Sequence, residues 1–453
     1  MAAEADAGRA GPGLAKSRSA VLQWLSSHVI RRLSWGIADQ IVSSLSNFAV
    51  GIYVVHTLGA VQFGAFSLAY VTYGFALNAS RGLSTDPLMV RFSGTDLPTW
   101  RRAAVKSTGT ALVVGLAAGT LVLGAAPLLG GTAGASFRAL GLTLPGLMLQ
   151  DSWRYSFFAL GRGAQAFLND TVWTATLLPA LVLTRASGHA DVFWFTLAWG
   201  ATGAAAAAIG PLQARILPNP AGVWEWISRH RDLGIPYLLE GTCNSAVNQV
   251  RGYGVALILG LAAVGYVQAS VMLMGPMTIL FLGMGLVTIP EAARVLRRSP
   301  RHLPLFCLLV SAGLTVTGLA WGVVLLVAVP RGLGNGLLGP IWRSTYPLVV
   351  PQTLFVMGQA VASGAGVGLH ALGAARRSLR LVLVMLTITS AFTLAGAWMA
   401  GVVGTVIGMA IGAWLGALLS WWQFREALRE SNTAPATGWL QSNGQARKHR
   451  IVR

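Results

Sequence analysis

The chain has 453 residues, of which 54% are hydrophobic and only 10% are charged. Soluble domains carry about 25% charged residues, so this composition excludes a water-soluble protein and indicates an integral membrane protein. The formal net charge of +19 does not indicate nucleic-acid binding, because the basic residues form short clusters between apolar segments instead of one basic face.

Residues 1–34 precede the first long apolar stretch. Polar residues interrupt their short apolar run and no small-residue cleavage site follows it, so they do not form a cleavable signal peptide. Leu22, Leu25, Val29 and Leu33 fall on one face of a helix. The pattern predicts a cytoplasmic tail with an amphipathic helix at the membrane surface.

Apolar stretches of about twenty residues, the length that crosses a bilayer as a helix, recur along the rest of the chain. They are predicted at 35–57, 62–85, 104–129, 136–159, 165–184, 192–214, 236–259, 263–289, 303–329, 341–370, 379–400 and 402–424. Gly275-Pro276, Pro347 and Pro351 mark bends within them. The fold class is therefore all-α integral membrane, with about twelve transmembrane helices.

Basic residues alternate between the loops, as expected when cytoplasmic loops collect Lys and Arg. The loops predicted to be cytoplasmic contain Arg91, Arg101, Arg102, Lys106, Arg162, Arg215, Arg229, Arg231, Arg294, Arg297, Arg298, Arg301, Arg376, Arg377 and Arg380. The opposite loops contain only Arg138, Arg185, Arg331 and Arg343. We therefore expect a multi-pass protein of the cell membrane with both termini in the cytoplasm.

Residues 39–83 match a second stretch of the chain at an offset of 201 residues. The identical pairs include Ser44 and Ser245, Asn47 and Asn248, Gly51 and Gly252, and Gly64 and Gly265. The offset covers six predicted spans, an even number, so the two halves have the same orientation and form a parallel repeat.

The repeat divides the chain into five parts. These are a tail at 1–34, an N-terminal lobe of six spans at 35–214, a cytoplasmic linker at 215–235, a C-terminal lobe at 236–425 and a basic tail at 426–453. The linker mixes Pro, Gly and charge around Trp224 and Trp226, which is typical of a surface helix. We expect the two lobes to enclose a central cavity.

Ionisable residues within the spans are the strongest functional signal, because such groups are costly in a membrane and usually face a polar interior. They are Asp39, Arg81, Asp151, Arg154, Asp170, Glu240 and Arg251. Three spans also place polar residues on one helix face at spacings of three or four. These stripes contain Asp39, Ser43 and Asn47 in the first span, Asn78 and Arg81 in the second, and Glu240, Asn244, Asn248 and Arg251 in the seventh.

Guanidinium groups bind phosphate in a bidentate manner, so these arginines predict an anionic substrate. The candidate substrate-binding residues are Arg251, Arg81, Arg154, Asn248, Asn47 and Asn78. The carboxylates of Asp39, Glu240 and Asp170 are candidates for binding a coupling ion, H⁺ or Na⁺. An alternative is structural pairing of Asp39 with Arg81, Glu240 with Arg251, and Asp151 with Arg154.

No motif of nucleotide hydrolysis or metal catalysis occurs, so no enzyme activity, no cofactor and no metal site are predicted. Cys243 and Cys307 each lie in an apolar stretch, which is typical of free thiols that pack within a span.

The segment between the first two spans contains Leu58-Gly59 followed by Phe63-Gly64. It resembles the short external turn and helix start of the polysaccharide flippase branch of the multidrug/oligosaccharidyl-lipid/polysaccharide flippase superfamily. The corresponding element of the second half is similar, at Leu259-Gly260, Val264-Gly265-Tyr266 and Ile289-Pro290-Glu291. The resemblance covers about residues 35–425, although twelve spans are unlike the fourteen of the lipid II flippases.

The resemblance implies an alternating-access flippase that moves a polyprenyl-(pyro)phosphate-linked oligosaccharide from the cytoplasmic to the outer leaflet, beside polysaccharide assembly proteins. One alternative is a proton- or sodium-coupled exporter of drugs or small molecules from the same superfamily, and Asp39 is similar in location to a functional Asp of some such exporters. Another is a membrane glycosyltransferase or polymerase, which would need paired acids in a loop outside the membrane, where only Asp191 is predicted.

Overall fold

The computed structural model describes the backbone of residues 12–328 and 333–433. It describes their side chains from Ser46 onwards, except at 240, 243–244, 247, 282–283, 285–287, 290, 328, 333, 337, 375–376, 378–379 and 432–433. The side chains of the amphipathic helix predicted before residue 34 lie outside this described set, and so does most of the basic C-terminal tail. The described residues form helices and connecting turns, with no β-strand among them.

Fourteen α-helices account for most of the described chain. They are α1 (Pro12–Leu83), α2 (Thr85–Phe92), α3 (Leu97–Leu129), α4 (Gly131–Ala159), α5 (Gly163–Ala186), α6 (Val192–Ala214), α7 (Val223–Leu259), α8 (Leu261–Leu273), α9 (Gly275–Arg298), α10 (Leu303–Ala328), α11 (Leu333–Leu338), α12 (Trp342–Thr345), α13 (Val349–Ala371) and α14 (Ala375–Thr433). The backbone of residues 12–34 is helical and continues into the first predicted span.

Glycines in left-handed conformation end several helices at the same side of the molecule. Gly59 (φ 73°), Gly130 (φ 61°), Gly260 (φ 82°) and Gly401 (φ 63°) have backbone angles that residues with a Cβ rarely adopt. We call this end the turn side and the opposite end, which holds residues 215–222, the linker side. Gly59 and Gly260, which are matched by the sequence repeat, also share an extended ψ, at 178° and 174°.

Two long helices are broken. Gly59 divides α1 into α1a (12–58) and α1b (60–83), and Ala400 with Gly401 interrupts α14. Within the described residues, seven helices are long and apolar enough to cross a membrane, or eight if α8 and the start of α9, bent by 55°, count as one span. The prediction of twelve spans is therefore not confirmed by this count. α4 and α7, which carry Asp151, Arg154 and Arg251, are not among the seven.

Helix breaks occur at Gly275-Pro276 and near Pro347 as expected, whereas Pro351 lies in the first turn of the continuous helix α13. α9 begins at Gly275 with Pro276 in its first turn, so the predicted span at 263–289 consists of two helices. The predicted span at 341–370 becomes a regular helix only at Val349, because short helices containing Pro340 and Pro347 precede it. Proline lacks the backbone N–H that a continuous helix needs.

Two of the described helices, α3 and α6, are capped at their start by an acidic side chain. The Asp96 carboxylate accepts a hydrogen bond from the Thr99 backbone N–H at 3.1 Å, in front of α3. The Asp191 carboxylate accepts from the Phe193 and Trp194 N–H groups at 2.9 and 3.2 Å, in front of α6. These are the free donors of a helix N-terminus, so Asp191 is a cap.

Helices α3, α4, α5 and α6 pack against one another, and α9, α10, α13 and α14 form a second group. α1 contacts both α4 of the first group and α7 and α8, which lead into the second. Small residues allow the helices to approach closely. A methyl group on Gly115 would lie 2.8 Å from Pro145 Cα, and one on Gly364 would lie 2.2 Å from the Cys307 carbonyl oxygen.

Gly64 of α1b and Gly265 of α8 meet at a helix crossing near the turn side. A methyl group on Gly64 would lie 1.8 Å from the Leu261 carbonyl oxygen, and one on Gly265 would lie 2.3 Å from that of Ala60. Each glycine therefore contacts the backbone four residues before the other. Because the two glycines are equivalent in the sequence repeat, we call this contact the reciprocal crossing.

The linker lies against α3 and the end of α1b. The Asn219 N–H donates to the Val105 carbonyl at 2.9 Å, and Gly109 leaves room for this approach, since a methyl group there would lie 2.1 Å from Asn219 O. The Trp226 indole donates to the Leu83 carbonyl at 3.1 Å. These bonds join the first turns of α7 to the linker side of the molecule.

Candidate functional site

A cavity of about 560 Å³ lies between α1b, α7, α8, α13 and α14. We call it the Arg251 cavity. Amide and hydroxyl groups make up most of its polar lining, and the main ones belong to Asn78, Ser245, Asn248, Gln268, Gln352 and Gln359. Arg251 is the charged side chain among the described residues that line it.

Arg251 lies about seven turns after Glu225 on α7, deep within the helix, and its side chain is half-buried. Its guanidinium donates to the side-chain oxygen of Asn248, one turn earlier. Among the carboxylates whose side chains are described, none forms an ion pair with it. A guanidinium has five donors, so most of them are available to a ligand in the cavity.

Hydrogen bonds between α1b and α7 hold one wall of this cavity. The Asn78 amide donates to the Gly74 carbonyl at 2.9 Å and to the Ser245 hydroxyl at 2.7 Å. The hydroxyls of Thr72 and Tyr253 are 2.7 Å apart. Asn78 therefore reaches the cavity as predicted, but its amide N–H₂ group also bonds two helices together.

A second cavity, of about 260 Å³, lies between α1, α4 and α5 and contains two buried ion pairs. The Arg81 guanidinium donates to both oxygens of Asp151, at 2.9 and 2.6 Å, and lies 4.7 Å from the centre of the Tyr155 ring. Arg154 Nε lies 3.2 Å from Asp170 Oδ2. We call this the ion-pair cavity.

These pairs correct the structural pairings considered from the sequence. Arg81 pairs with Asp151, where Asp39 had been considered, and Arg154 bonds Asp170, where Asp151 had been considered. The carboxylates of Asp151 and Asp170 are 6% and 7% exposed. Removing one partner of such a pair leaves an uncompensated charge and costs about 3–5 kcal/mol. Both arginines are therefore neutralised by the protein itself.

The Asp170 carboxylate has further partners. Gln150 Nε2 donates to its other oxygen at 2.7 Å and also lies 3.2 Å from Asn169 Oδ1. Asn169 in turn donates to the Ala206 carbonyl at 2.9 Å, which connects the network to α6. A coupling ion at Asp170 would therefore have to compete with Arg154 and Gln150.

A third cavity, of about 460 Å³, is lined mainly by aromatic and aliphatic groups, and we call it the aromatic cavity. Phe63, Phe66 and Trp199 form its wall, and Asn47 and Tyr70 also line it. The Phe66 and Trp199 rings meet edge to face at 6.1 Å, a favourable geometry for aromatic pairs. Tyr70 lines all three cavities, so the three adjoin one another around its ring.

The structure separates the candidate substrate-binding residues. Arg251, Asn248 and Asn78 line the Arg251 cavity, whereas Arg81 and Arg154 line the ion-pair cavity. Asn47 lies between the ion-pair and aromatic cavities. The side chains of Asp39 and Glu240 are outside the described set, so their predicted role in ion coupling is untested.

Sequence reasoning missed the glutamines. Gln352 is 1% exposed, and together with Gln268 and Gln359 it lines the Arg251 cavity. A search restricted to ionisable residues overlooks neutral amides, although a buried amide also requires hydrogen-bond partners. No group of three or more His, Cys, Asp or Glu side chains within the described residues has the geometry of a metal site.

No protein-family model matches the chain, and no curated protein matches it either. Its fold is similar to an inward-facing multidrug resistance MATE family transporter of the MOP superfamily, with a TM-score of 0.68, 16% identity, and coverage of 86% of this chain and 96% of that one. For an outward-facing MATE family transporter the TM-score is 0.55, with 16% identity and coverage of 90% and 96%.

A MOP superfamily transporter from Pyrococcus furiosus also superposes on the chain. Its TM-score is 0.55 at 17% identity, over 90% of this chain and 96% of that one. These matches extend over nearly the whole described structure, so they concern the complete fold. The chain therefore has the fold of the MATE transporters of the MOP superfamily, the superfamily that the sequence resemblance indicated.

Proposed function

We propose that this protein is an alternating-access transporter, not an enzyme, which carries the anionic head group of a lipid-linked glycan across the cell membrane. The cargo class is a polyprenyl-(pyro)phosphate-linked oligosaccharide or related polysaccharide precursor, moved from the cytoplasmic to the outer leaflet. Polysaccharide assembly proteins would supply it and receive it.

One observation carries the proposal: Arg251 lies in a cavity whose described polar lining is otherwise amide and hydroxyl. An arginine without a described carboxylate partner favours a phosphate, and the amides of Gln268, Gln352 and Gln359 can bond sugar hydroxyls. A cationic drug would meet repulsion from the guanidinium. Arg81 and Arg154 would support the site from the neighbouring cavity, in charge-neutral pairs.

The proposed topology has twelve crossings in two lobes, at 35–214 and 236–425. The linker at 215–235 and the tails at 1–34 and 426–453 would lie in the cytoplasm, because the loops on the linker side of the described chain contain more Arg and Lys than the loops on the turn side. The breaks at Gly59 and Gly401 support this count, since each divides a helix too long for one crossing.

Alternating access requires two states that open to opposite sides. The higher TM-score against the inward-facing transporter supports an inward-facing assignment for this structure. The reciprocal crossing supports it too, because direct backbone contact between Gly64 and Gly265 would close the turn side, which is external in the proposed topology.

The driving force is proposed to be an H⁺ or Na⁺ gradient acting at Asp39, Glu240 or Asp170. At Asp170 the bound ion would replace Arg154 as the partner of the carboxylate. The displaced guanidinium would then change its position in the ion-pair cavity, which offers a physical link between ion binding and rearrangement of the adjoining space.

The test is transport of a fluorescent polyprenyl-pyrophosphate oligosaccharide in vesicles that contain the purified protein. Arg251→Ala is expected to lower the flipping rate by about tenfold or more, since a charge-assisted hydrogen bond contributes about 1.5–3 kcal/mol. Arg251→Lys should retain part of the rate. The control is Arg185→Ala, which removes an exposed arginine at the turn side. Unchanged flipping by Arg251→Ala would overturn the proposal.

The second candidate is an ion-coupled exporter of drugs or small molecules. The aromatic cavity of about 460 Å³ favours it, as does the fold similarity to transporters described as multidrug resistance proteins. A deletion strain that becomes sensitive to cationic drugs but keeps normal surface glycans would establish this candidate and remove the first.

A further inference from the structure

A separate pocket of about 220 Å³ lies at the linker side, between the end of α2, the first turns of α3 and the start of α7. We call it the linker pocket. Its main lining residues are Phe92, Arg102, Lys106, Glu225, Trp226 and Arg229. It shares no lining residue with the three central cavities.

Cations outnumber carboxylates around this pocket. Arg102, Lys106 and Arg229 line it against the single carboxylate of Glu225. Glu225 accepts from Lys106 at 2.6 Å and lies 2.9 Å from Arg229. The hydrogen bond from Lys106 lowers the pKa of Glu225. The carboxylate is therefore fully ionised at neutral pH, and three cations still leave an excess positive charge for an anion to neutralise.

The pocket is built on a fixed aromatic base. Trp226 is 2% exposed, and its ring lies 4.1 Å from that of His230 and 5.9 Å from that of Phe92. Burial lowers the pKa of His230, so this ring is neutral at pH 7. The indole bond to the Leu83 carbonyl holds the base in place, and an occupant would therefore enter a formed pocket.

Exposed apolar residues beside the pocket place it at a membrane surface. Trp224, two residues before Trp226, is 78% exposed, and Leu217 is 75% exposed. Tryptophan with one face free is typical of the lipid interface. Further along α3, Leu116 and Leu121 are also exposed, and α3 is one of the helices apolar enough to span a membrane.

We propose that the linker pocket binds the phosphate of an anionic glycerophospholipid, with the acyl chains along the exposed face of α3. Basic pockets at this level of a membrane protein attract anionic head groups. The bound lipid would join α2 and α3 to the start of α7, and so brace the linker against the bundle. This proposal requires only that the protein spans a membrane and does not depend on the cargo.

The experiment measures lipid binding by the purified full-length protein in neutral detergent, using native mass spectrometry and thermal unfolding. The probes are dioleoyl phosphatidylglycerol, dioleoyl phosphatidylcholine and inorganic phosphate. We expect selective retention of phosphatidylglycerol with a higher unfolding temperature. Equal retention of phosphatidylcholine, or the same stabilisation by inorganic phosphate alone, would overturn the proposal.

Two variants separate this pocket from general surface charge. Arg102→Gln with Arg229→Gln is expected to weaken phosphatidylglycerol binding about fivefold for each charge removed. The matched control, Arg185→Gln with Arg343→Gln, removes two exposed arginines at the turn side and should bind normally. Equal weakening in both double variants would contradict the assignment.

A variant that is expected to bind the lipid more tightly distinguishes an effect of pocket charge from a loss of binding caused by misfolding. Glu225→Gln removes the one carboxylate that lines the pocket, so we expect it to bind phosphatidylglycerol about fivefold more tightly than the wild type. A damaged pocket cannot produce tighter and still selective binding. Unchanged or weaker binding by a folded Glu225→Gln variant would overturn the proposal.

Discussion

Three arginines of the same chemical type have different surroundings in this protein. Arg81 and Arg154 donate to buried aspartates, whereas Arg251 bonds a neutral amide within the largest of the described cavities. The sequence indicated all three as binding candidates, with Arg251 first because it lies deepest in its predicted span, but it did not give their partners. Ion pairs depend on which helices become neighbours, and Asp151 with Arg154, the local choice at i,i+3 spacing, is replaced by partners from other helices.

Stability measurements should distinguish the paired from the unpaired arginines. Asp151→Asn leaves the Arg81 charge uncompensated, and we expect it to lower the free energy of unfolding by about 3–5 kcal/mol. The double variant Asp151→Asn with Arg81→Gln should recover part of this loss. Thermal unfolding in detergent provides the measurement, and Arg251→Gln serves as the comparison, since no described carboxylate loses its partner there. Equal losses in Asp151→Asn and Arg251→Gln would contradict this account.

The stability of the linker should depend on pH through His230. Burial lowers its pKa below the ordinary value of about 6.5. As the pH falls below 6.5, the unfolded state takes up the proton before the folded state does, so stability decreases. The contribution of the neutral His230 to stability is therefore fully present above about pH 6.5. We expect the fall in unfolding temperature between pH 7.5 and 5.5 to be smaller in His230→Gln, and an equal fall in both proteins would disprove this role.

At the level of helices, glycines were the most reliable sequence signal. The repeat paired Gly59 with Gly260 and Gly64 with Gly265, and the structure gives the first pair the same backbone conformation and brings the second pair together. Such positions are predictable because a missing side chain is a local property. The glutamines of the Arg251 cavity were not predicted, because an amide within a span acquires a role only when other helices surround it.

Gly64→Ala should prevent the reciprocal crossing from closing, because the added methyl group would meet the Leu261 carbonyl at 1.8 Å. In the proposed topology this favours the state open to the outside. We expect faster labelling of a cysteine at Ser67 by an impermeant maleimide, in a background with Cys243 and Cys307 replaced by Ser. Gly74→Ala, with nothing within 4 Å of the added group, is the control, and equal labelling rates would refute the prediction.

For the whole molecule, composition and loop charges were sufficient to predict an all-α membrane protein, and the fold similarity to MATE transporters agrees at that level. The number of helices that cross the membrane is harder to predict from hydropathy. Helices that carry charge, such as α4 and α7, have a weaker apolar signal, although in the proposed topology they cross the membrane. The charges of Asp151 and Arg154 in α4 are satisfied by partners on neighbouring helices, which hydropathy along a single chain cannot represent.

Cysteine labelling from each side of intact cells tests the topology. Ser187 lies at the turn side and Ser228 at the linker side, and both are exposed. We expect an impermeant reagent to label Ser187→Cys in intact cells and to label Ser228→Cys only after permeabilisation, because Lys and Arg concentrate on the cytoplasmic side. Labelling of both positions in intact cells would exclude the proposed orientation.

The reciprocal crossing has an implication for descent. If the two lobes arose by duplication of one gene, Gly64 and Gly265 are copies of a single ancestral residue, and each now touches the backbone beside the other. The ancestral half would then have formed a homodimer with that glycine close to its two-fold axis. After fusion into one chain the two glycines could change independently. A larger side chain at either position would then require the other helix to move away.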